Sequence, residues 1–313
     1  MEFLIYFLQI GLSSILLWKG ADWVVEEATR LARRFGVSEL LIGLTVVALG
    51  TSLPEMAVST ISAYRGFGDL ALSNVVGSNI FNLGLILGSM AFISPFTVRR
   101  ESVHRDGVFL GLVISIIFIA GLDRTLGRIT GFILLFLLVG YIFYLFQTSW
   151  HSWQYSPQRQ HAPVRLRNVL RLVLGQLAVI SGGHFITEGA VGLGTLLGVE
   201  QWLLGLTVVA CGTSLPEAVT CLVSLLKERE GILIGNLLGS DIFNFAAVIG
   251  ISTTLSPISI TDMAFINLII LIASVVLLLV FMKSKWRLSR TEGVVLFCIG
   301  ILRFSWYFVY PAG

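Results

Sequence analysis

Long apolar runs separated by short polar gaps fill the chain from end to end. Ten of these runs read as hydrophobic helices, at roughly 3–29, 38–63, 70–93, 106–122, 127–147, 166–190, 200–226, 231–254, 263–282 and 291–310. A helix needs about 20 mostly apolar residues to cross a bilayer, and the runs cluster near that length. The longest polar gap, 148–163, holds Pro157, Pro163 and several Gln and His residues. It reads as a linker between five helices in 1–147 and five in 164–313. The pattern predicts an all-α polytopic membrane protein.

Composition supports this. Charged residues make up 12% of the 313 residues, apolar ones 56%, and mean hydropathy is +0.89. A soluble domain carries about 25% charged residues, so an ordinary soluble enzyme and a disordered chain are both excluded. The net charge of +3 is small and its basic residues are scattered, which argues against nucleic-acid binding. Cys211, Cys221 and Cys298 lie in apolar runs, match no zinc or redox spacing, and read as small packing residues. The first apolar run lacks a basic flank and a small-residue cleavage site, so it is expected to be a retained helix.

Sixteen of the 21 basic residues fall in loops on one side of this ten-helix arrangement, Arg30, Arg99, Arg165, Lys227 and Lys283 among them. Cytoplasmic loops carry the excess of Lys and Arg. The expectation is a multi-pass protein of the cell membrane with both termini outside and the 148–163 linker in the cytoplasm.

An internal repeat organises the chemistry. GLTVVALGTSLPE ends at Glu55, and GLTVVACGTSLPE ends at Glu217. The offset from Glu55 to Glu217 also relates Asn74 to Asn236, Gly77 to Gly239, Ser78 to Ser240, Asn82 to Asn244 and Pro95 to Pro257. With five helices per half, the second half must enter the membrane from the opposite face. Inverted repeats of this kind are typical of secondary transporters, which hold substrate near the midplane.

Glu55 and Glu217 lie inside apolar segments, where an unpartnered carboxylate costs roughly 2.5 kcal/mol or more. Each therefore needs a partner, a proton or a cation. Pro54 and Pro216 have no N–H, so the turns Ala48–Thr51 and Ala210–Thr213 are expected to be unwound and to offer carbonyl oxygens. Thr51 and Thr213 stand four residues before the glutamates, on the same helix face. Asn74, Ser78 and Asn82, and again Asn236, Ser240 and Asn244, follow at steps of four, with Gly77 and Gly239 expected to allow close helix approach. These are hard oxygen donors, suited to calcium or sodium rather than zinc or copper. Asp241, whose counterpart is Asn79, is the asymmetric acid and a candidate third carboxyl of the site. Glu26 and Glu188, also repeat-equivalent, are expected to be interfacial or structural. The histidines form no cluster, and Trp18, Trp23, Trp202, Trp286 and Trp306 suit an interfacial belt.

The paired GTSLPE segments, each followed by GS-x-IFN, resemble the two α-repeats of the cation/calcium exchanger superfamily, and most closely its prokaryotic sodium/calcium exchangers. The resemblance covers nearly the whole chain. It implies that Glu55 and Glu217 are shared calcium and sodium ligands, with oxygens from Thr51 and Thr213 and carbonyls from Ala48 and Ala210. Ser52 and Ser214 would line sodium sites, and Ser78, Ser240, Asn82 and Asn244 would complete the cage. It further implies sodium/calcium exchange by alternating access, with the first and sixth helices sliding against the rest. Some relatives carry Asp where this chain has Asn244, and Asn244 argues against potassium coupling. Proton/calcium exchange through the same cage is the alternative, set second because proton-coupled relatives carry GNA-x-E in place of GTSLPE. A cation channel lined by the same glutamates is an alternative of another class, and an intramembrane protease ranks last, since the chain has Glu rather than Asp and lacks G-x-G-D. Calcium, sodium and the lipid bilayer are the partners expected, with no resident cofactor, no catalytic residues and no obligate protein partner.

Overall fold

The computed structural model describes residues 2–154, 165–199, 204, 208 and 210–309. Most of the expected linker, including Pro157, His161 and Pro163, lies outside these residues, as does most of the expected seventh helix before Ala210, Trp202 included. Seven described helices are long and apolar enough to cross a membrane: Glu2–Phe35, Gly68–Ile93, Arg100–Gly121, Arg128–Thr148, Leu166–Leu196, Glu230–Leu255 and Ala264–Lys285. An eighth span is broken. Its halves, Glu39–Thr51 and Leu53–Tyr64, meet at a bend of 51°. A shorter apolar helix, Leu215–Leu226, and a last helix, Arg290–Val309, complete the set.

The helices outrun several of the expected boundaries. The first continues to Phe35 because its charged end, Glu26 to Arg34, is helical. The fifth reaches Gln154, so residues 148–154 of the expected linker are helical. The chain is also not purely helical. Phe96–Thr97 pairs antiparallel with Arg287–Leu288, and Thr125–Leu126 with Ile258–Ser259.

These two ladders are repeat-equivalent. The offset from Glu55 to Glu217 carries Phe96–Thr97 onto Ile258–Ser259 and Thr125–Leu126 onto Arg287–Leu288. The same offset runs through the backbone. Positive φ occurs at Gly36 and Gly198, at Gly66 and Glu228, and at Arg124 and Trp286, three repeat-equivalent pairs. The π-helical turns Phe81–Ile86 and Phe243–Val248 form a fourth. Left-handed positions and π turns carry a local energetic cost, so their duplication reflects duplicated local structure.

The chain forms two compact units, 1–54 with 156–236 and 55–155 with 237–313. Neither coincides with a sequence half. In the first unit, Leu17, Ala21, Val24, Val25, Ala28 and Ala32 of the 2–35 helix pack against Leu172, Val179, Val223 and Ile232. A methyl on Gly20 would sit 2.8 Å from the Gly175 carbonyl oxygen, so the 2–35 and 166–196 helices touch backbone to backbone. In the second unit the last helix lies on 68–93, where a methyl on Gly293 would sit 2.8 Å from the Gly88 oxygen. Small residues are what let membrane helices approach this closely. The expectation for Gly77 fails, because a methyl there meets nothing within 4 Å among the described residues. Close approach is provided by Gly43 and Gly235 in the first unit and by Gly84, Gly88, Gly293 and Gly300 in the second.

Candidate functional site

The expected unwinding before each proline is not what the backbone does. Ala48–Thr51 and Ala210–Thr213 are helical, and the chain breaks one residue later, at Ser52 (φ −83°, ψ 2°) and Ser214 (φ −93°, ψ 5°). Proline explains the shift. Its missing N–H is harmless in the first turn of a helix, so Pro54 and Pro216 open the new helices 53–64 and 215–226. The Ala48 carbonyl is accordingly engaged, accepting from the Ser52 N–H at 3.0 Å and the Thr51 hydroxyl at 3.3 Å.

The break puts Glu55 and Glu217 in the first turn of their helices. The positive end of the helix dipole favours a carboxylate there. Both are buried, at 1% and 0% exposure. In the first unit, Ser52 donates to Glu217 Oε1 at 3.3 Å, which ties the serine of one repeat to the acid of the other. Thr51 donates to Asn236 Oδ1 at 3.0 Å. Ser214 is buried beside them in sequence, and Thr213 is half-buried.

In the second unit, Asn74 donates to the Glu55 carbonyl oxygen at 3.4 Å and to Ser59 Oγ at 2.9 Å. Ser78, Ser240, Asn82, Asn244 and Asp241 are all buried. Two matched pairs cross between the repeats. Asn82 donates to Asp241 Oδ1 at 3.4 Å, and Asn244 donates to Asn79 Oδ1 at 3.4 Å. Positions 79 and 241 are equivalent, as are 82 and 244, so Asp241 occupies in one pair the place that Asn79 holds in the other. The amide oxygens of Asn82 and Asn244 have no hydrogen-bond donor among the described residues. A buried oxygen with idle lone pairs is costly unless something electropositive meets it. The helix that carries much of this set, 230–255, is buried along its whole apolar window, unlike the 2–35 helix, which exposes most of its own. The donors are carboxylate, amide, hydroxyl and carbonyl oxygens, the ligands of hard cations.

Sequence reasoning missed several residues. Asn79 registered only as the counterpart of Asp241. Cys221, taken as packing, donates to the Leu233 carbonyl and accepts from Asn236. Glu27, 2% exposed, accepts from Arg30 at 2.7 Å, Asn168 at 2.8 Å and Arg171 at 3.1 Å. Glu26, its neighbour, pairs with Arg30 and, at 2.7 Å, with Arg171. Glu188 meets Gln9 at 3.5 Å. Asp106, fully buried, accepts from Arg105 and from the Tyr141 hydroxyl at 2.8 Å. Asp106 stands at the edge of the apolar run 106–122, directly after the charged stretch 99–105, so there was no signal that it would be buried. For Glu27 there was none either, because Asn168 and Arg171 belong to the other half of the sequence.

The profile of the family described as Sodium/calcium exchanger protein matches residues 5–147 and again 168–309. The chain belongs to the sodium/calcium exchanger family. It is 32% identical over 304 residues to the putative antiporter CaxA of Alkalimonas amylolytica, covering 93% of this chain and 94% of that one. It is 31% identical to the sodium/calcium exchanger MaX1 of Methanosarcina acetivorans, covering 93% and 95%. Its fold matches the sodium-calcium exchanger NCX_Mj, soaked with Na+ and Sr2+, with a TM-score of 0.86 at 28% identity over 97% of this chain and 99% of that one. The family profile matches once in each half of this exchanger, in register with the duplicated backbone turns.

Proposed function

We propose that the chain is a sodium/calcium antiporter of the cell membrane, working by alternating access with Ca2+ and Na+ as cargo. The observation that carries this is the duplicated buried carboxyl, Glu55 and Glu217, each in the first turn of a helix restarted by proline inside an apolar segment. The names of MaX1 and NCX_Mj support it. In this reading Glu55 and Glu217 are the shared ligands. Thr51, Thr213, Ser78, Ser240, Asn82, Asn244 and Asp241 add oxygens, Ala210 adds a carbonyl, and Ser52 and Ser214 line the sodium positions. The idle amide oxygens of Asn82 and Asn244 suit that role.

The architecture we propose is ten transmembrane helices in two inverted five-helix repeats, 1–147 and 164–313, with both termini outside and the 148–163 linker cytoplasmic. The duplicated ladders and left-handed turns support the repeat. Two carboxylates can be balanced by one divalent ion or by several sodium ions. Each buried carboxylate is costly without a cation or a proton to offset it, so closure is favoured only in the loaded carrier, which makes exchange obligatory.

Calcium-45 uptake into proteoliposomes tests this. Uptake should require an outward sodium gradient and be absent from potassium-loaded vesicles. Glu55→Gln and Glu217→Gln should abolish it while the protein still inserts. Robust uptake by both variants refutes the assignment. Uptake driven by a pH gradient alone moves the protein to proton coupling, and large uncoupled currents make it a channel.

A further inference from the structure

The second unit contains a run of side-chain amides that starts on a backbone carbonyl. Asn79 Nδ2 donates to the Val75 carbonyl oxygen at 2.8 Å, one turn back on the helix Gly68–Ile80. A carbonyl can only accept, so this bond fixes which end of the Asn79 amide is nitrogen. Its Oδ1 is left on the side of Asn244, which stands on the π-helical turn Phe243–Val248. That oxygen also can only accept, and Asn244 Nδ2 donates to it at 3.4 Å. The Asn244 amide is thereby oriented in turn. Reversed, it would set its own oxygen against Asn79 Oδ1, two buried acceptors with no proton between them.

Both asparagines are fully buried. The run ends on Asn244 Oδ1, which meets no hydrogen-bond donor among the described residues. A buried amide oxygen in that state is costly, and a cation offsets the cost. The other crossing pair is built differently. Asn82 Nδ2 donates to Asp241 Oδ1 at 3.4 Å, and Asp241 holds the position equivalent to Asn79. An ionised carboxylate offers oxygen from either end, so it can orient Asn82 without an anchor of its own. An amide in that position needs one, and Val75 supplies it.

We propose that Asn79, anchored on Val75, is a positioning residue that turns the Asn244 amide oxygen toward the transported cation. This rests on the transport reading above. Loss of Asn79 should leave the Asn244 amide without a fixed direction and weaken one ligand. One net hydrogen bond, roughly 1 kcal/mol, corresponds to about a five-fold change in affinity.

The test measures calcium-45 uptake into sodium-loaded proteoliposomes for wild type, Asn79→Leu, Asn79→Asp, Asn244→Asp and the double variant Asn79→Leu/Asn244→Asp. Asn79→Leu should raise half-saturating calcium about five-fold at near-normal maximal rate. Made in the Asn244→Asp background, the same change should not raise it, because a carboxylate at position 244 has no wrong end and is relieved of the Asn79 oxygen. Asn79→Asp copies Asp241 and keeps an oxygen for Asn244 Nδ2, so its half-saturating calcium should be no higher than that of wild type. Where Asn79→Leu does not insert, Asn79→Ala takes its place in both backgrounds. An unchanged half-saturation in Asn79→Leu, an equal rise in both backgrounds, or an Asn79→Asp as impaired as Asn79→Leu overturns the proposal while leaving the transport reading intact. Wild type that exchanges no calcium for sodium refutes the transport reading, and the proposal falls with it.

Discussion

Replacing Glu27 by Gln should destabilise the protein by about 2 kcal/mol. The Glu27 carboxylate, 2% exposed, accepts from two guanidinium groups on Oε1 and from Asn168 on Oε2. Glutamine keeps the shape but turns one oxygen into an N–H2 facing a donor. Removing one partner of a buried ion pair costs roughly 3–5 kcal/mol. That figure is an upper bound here, because Arg30 is 45% exposed and Arg171 29% exposed, so water takes up part of their charge. A loss of about 2 kcal/mol remains, equivalent to a fall of about 5 °C in the unfolding midpoint. Arg171→Met should follow closely, since Arg171 also binds Glu26 at 2.7 Å and lies over the Trp23 ring. Arg30→Met should cost under about 1 kcal/mol, because Arg30 is the more exposed and both glutamates keep Arg171. Fluorescence-detected unfolding of purified protein in detergent gives all three midpoints. An order with Arg30→Met worst, or a Glu27→Gln midpoint equal to wild type, refutes the reasoning that burial sets the cost.

Two further predictions follow from backbone geometry. Gly66 has φ of 86° with no atom of the described residues within 4 Å of where a side chain would begin, so Gly66→Ala should cost about 1 kcal/mol through backbone strain, read as a lower midpoint with unchanged exchange. Gly293→Leu should prevent the last helix from seating on 68–93, because its side chain would start 2.8 Å from the Gly88 oxygen and the Phe92 nitrogen; a monodisperse, thermally stable variant in size-exclusion chromatography would contradict this.

Most helices were legible because bilayer-length apolar runs are a strong signal, and the duplicated motif put Glu55 and Glu217 in view. What escaped notice depends on distant partners or single residues. Two-residue ladders have no periodicity to detect. Glu27 reads as one more charge at a helix end until Asn168 and Arg171 are brought to it. Pro54 and Pro216 signalled a break correctly, but whether proline unwinds the turn before it or opens the helix after it depends on the geometry at Ser52 and Ser214. Cys221 is buried as a packing residue should be, and only its Ser59 counterpart hints at the contacts it also makes with Leu233 and Asn236. Gly77 matched the small-residue rule by composition, while contact chose other glycines.

The two compact units each draw on both sequence halves, and this constrains the order in which the protein can be made. A ribosome that has released residues 1–147 has delivered a full repeat but neither unit. The first unit still lacks 156–236 and the second lacks 237–313. Phe96 has no strand partner until Leu288 has emerged, and Thr125 none until Ser259. Residues 1–54 must therefore wait for 156–236 before their unit can close, and residues 55–155 must wait longer, for 237–313.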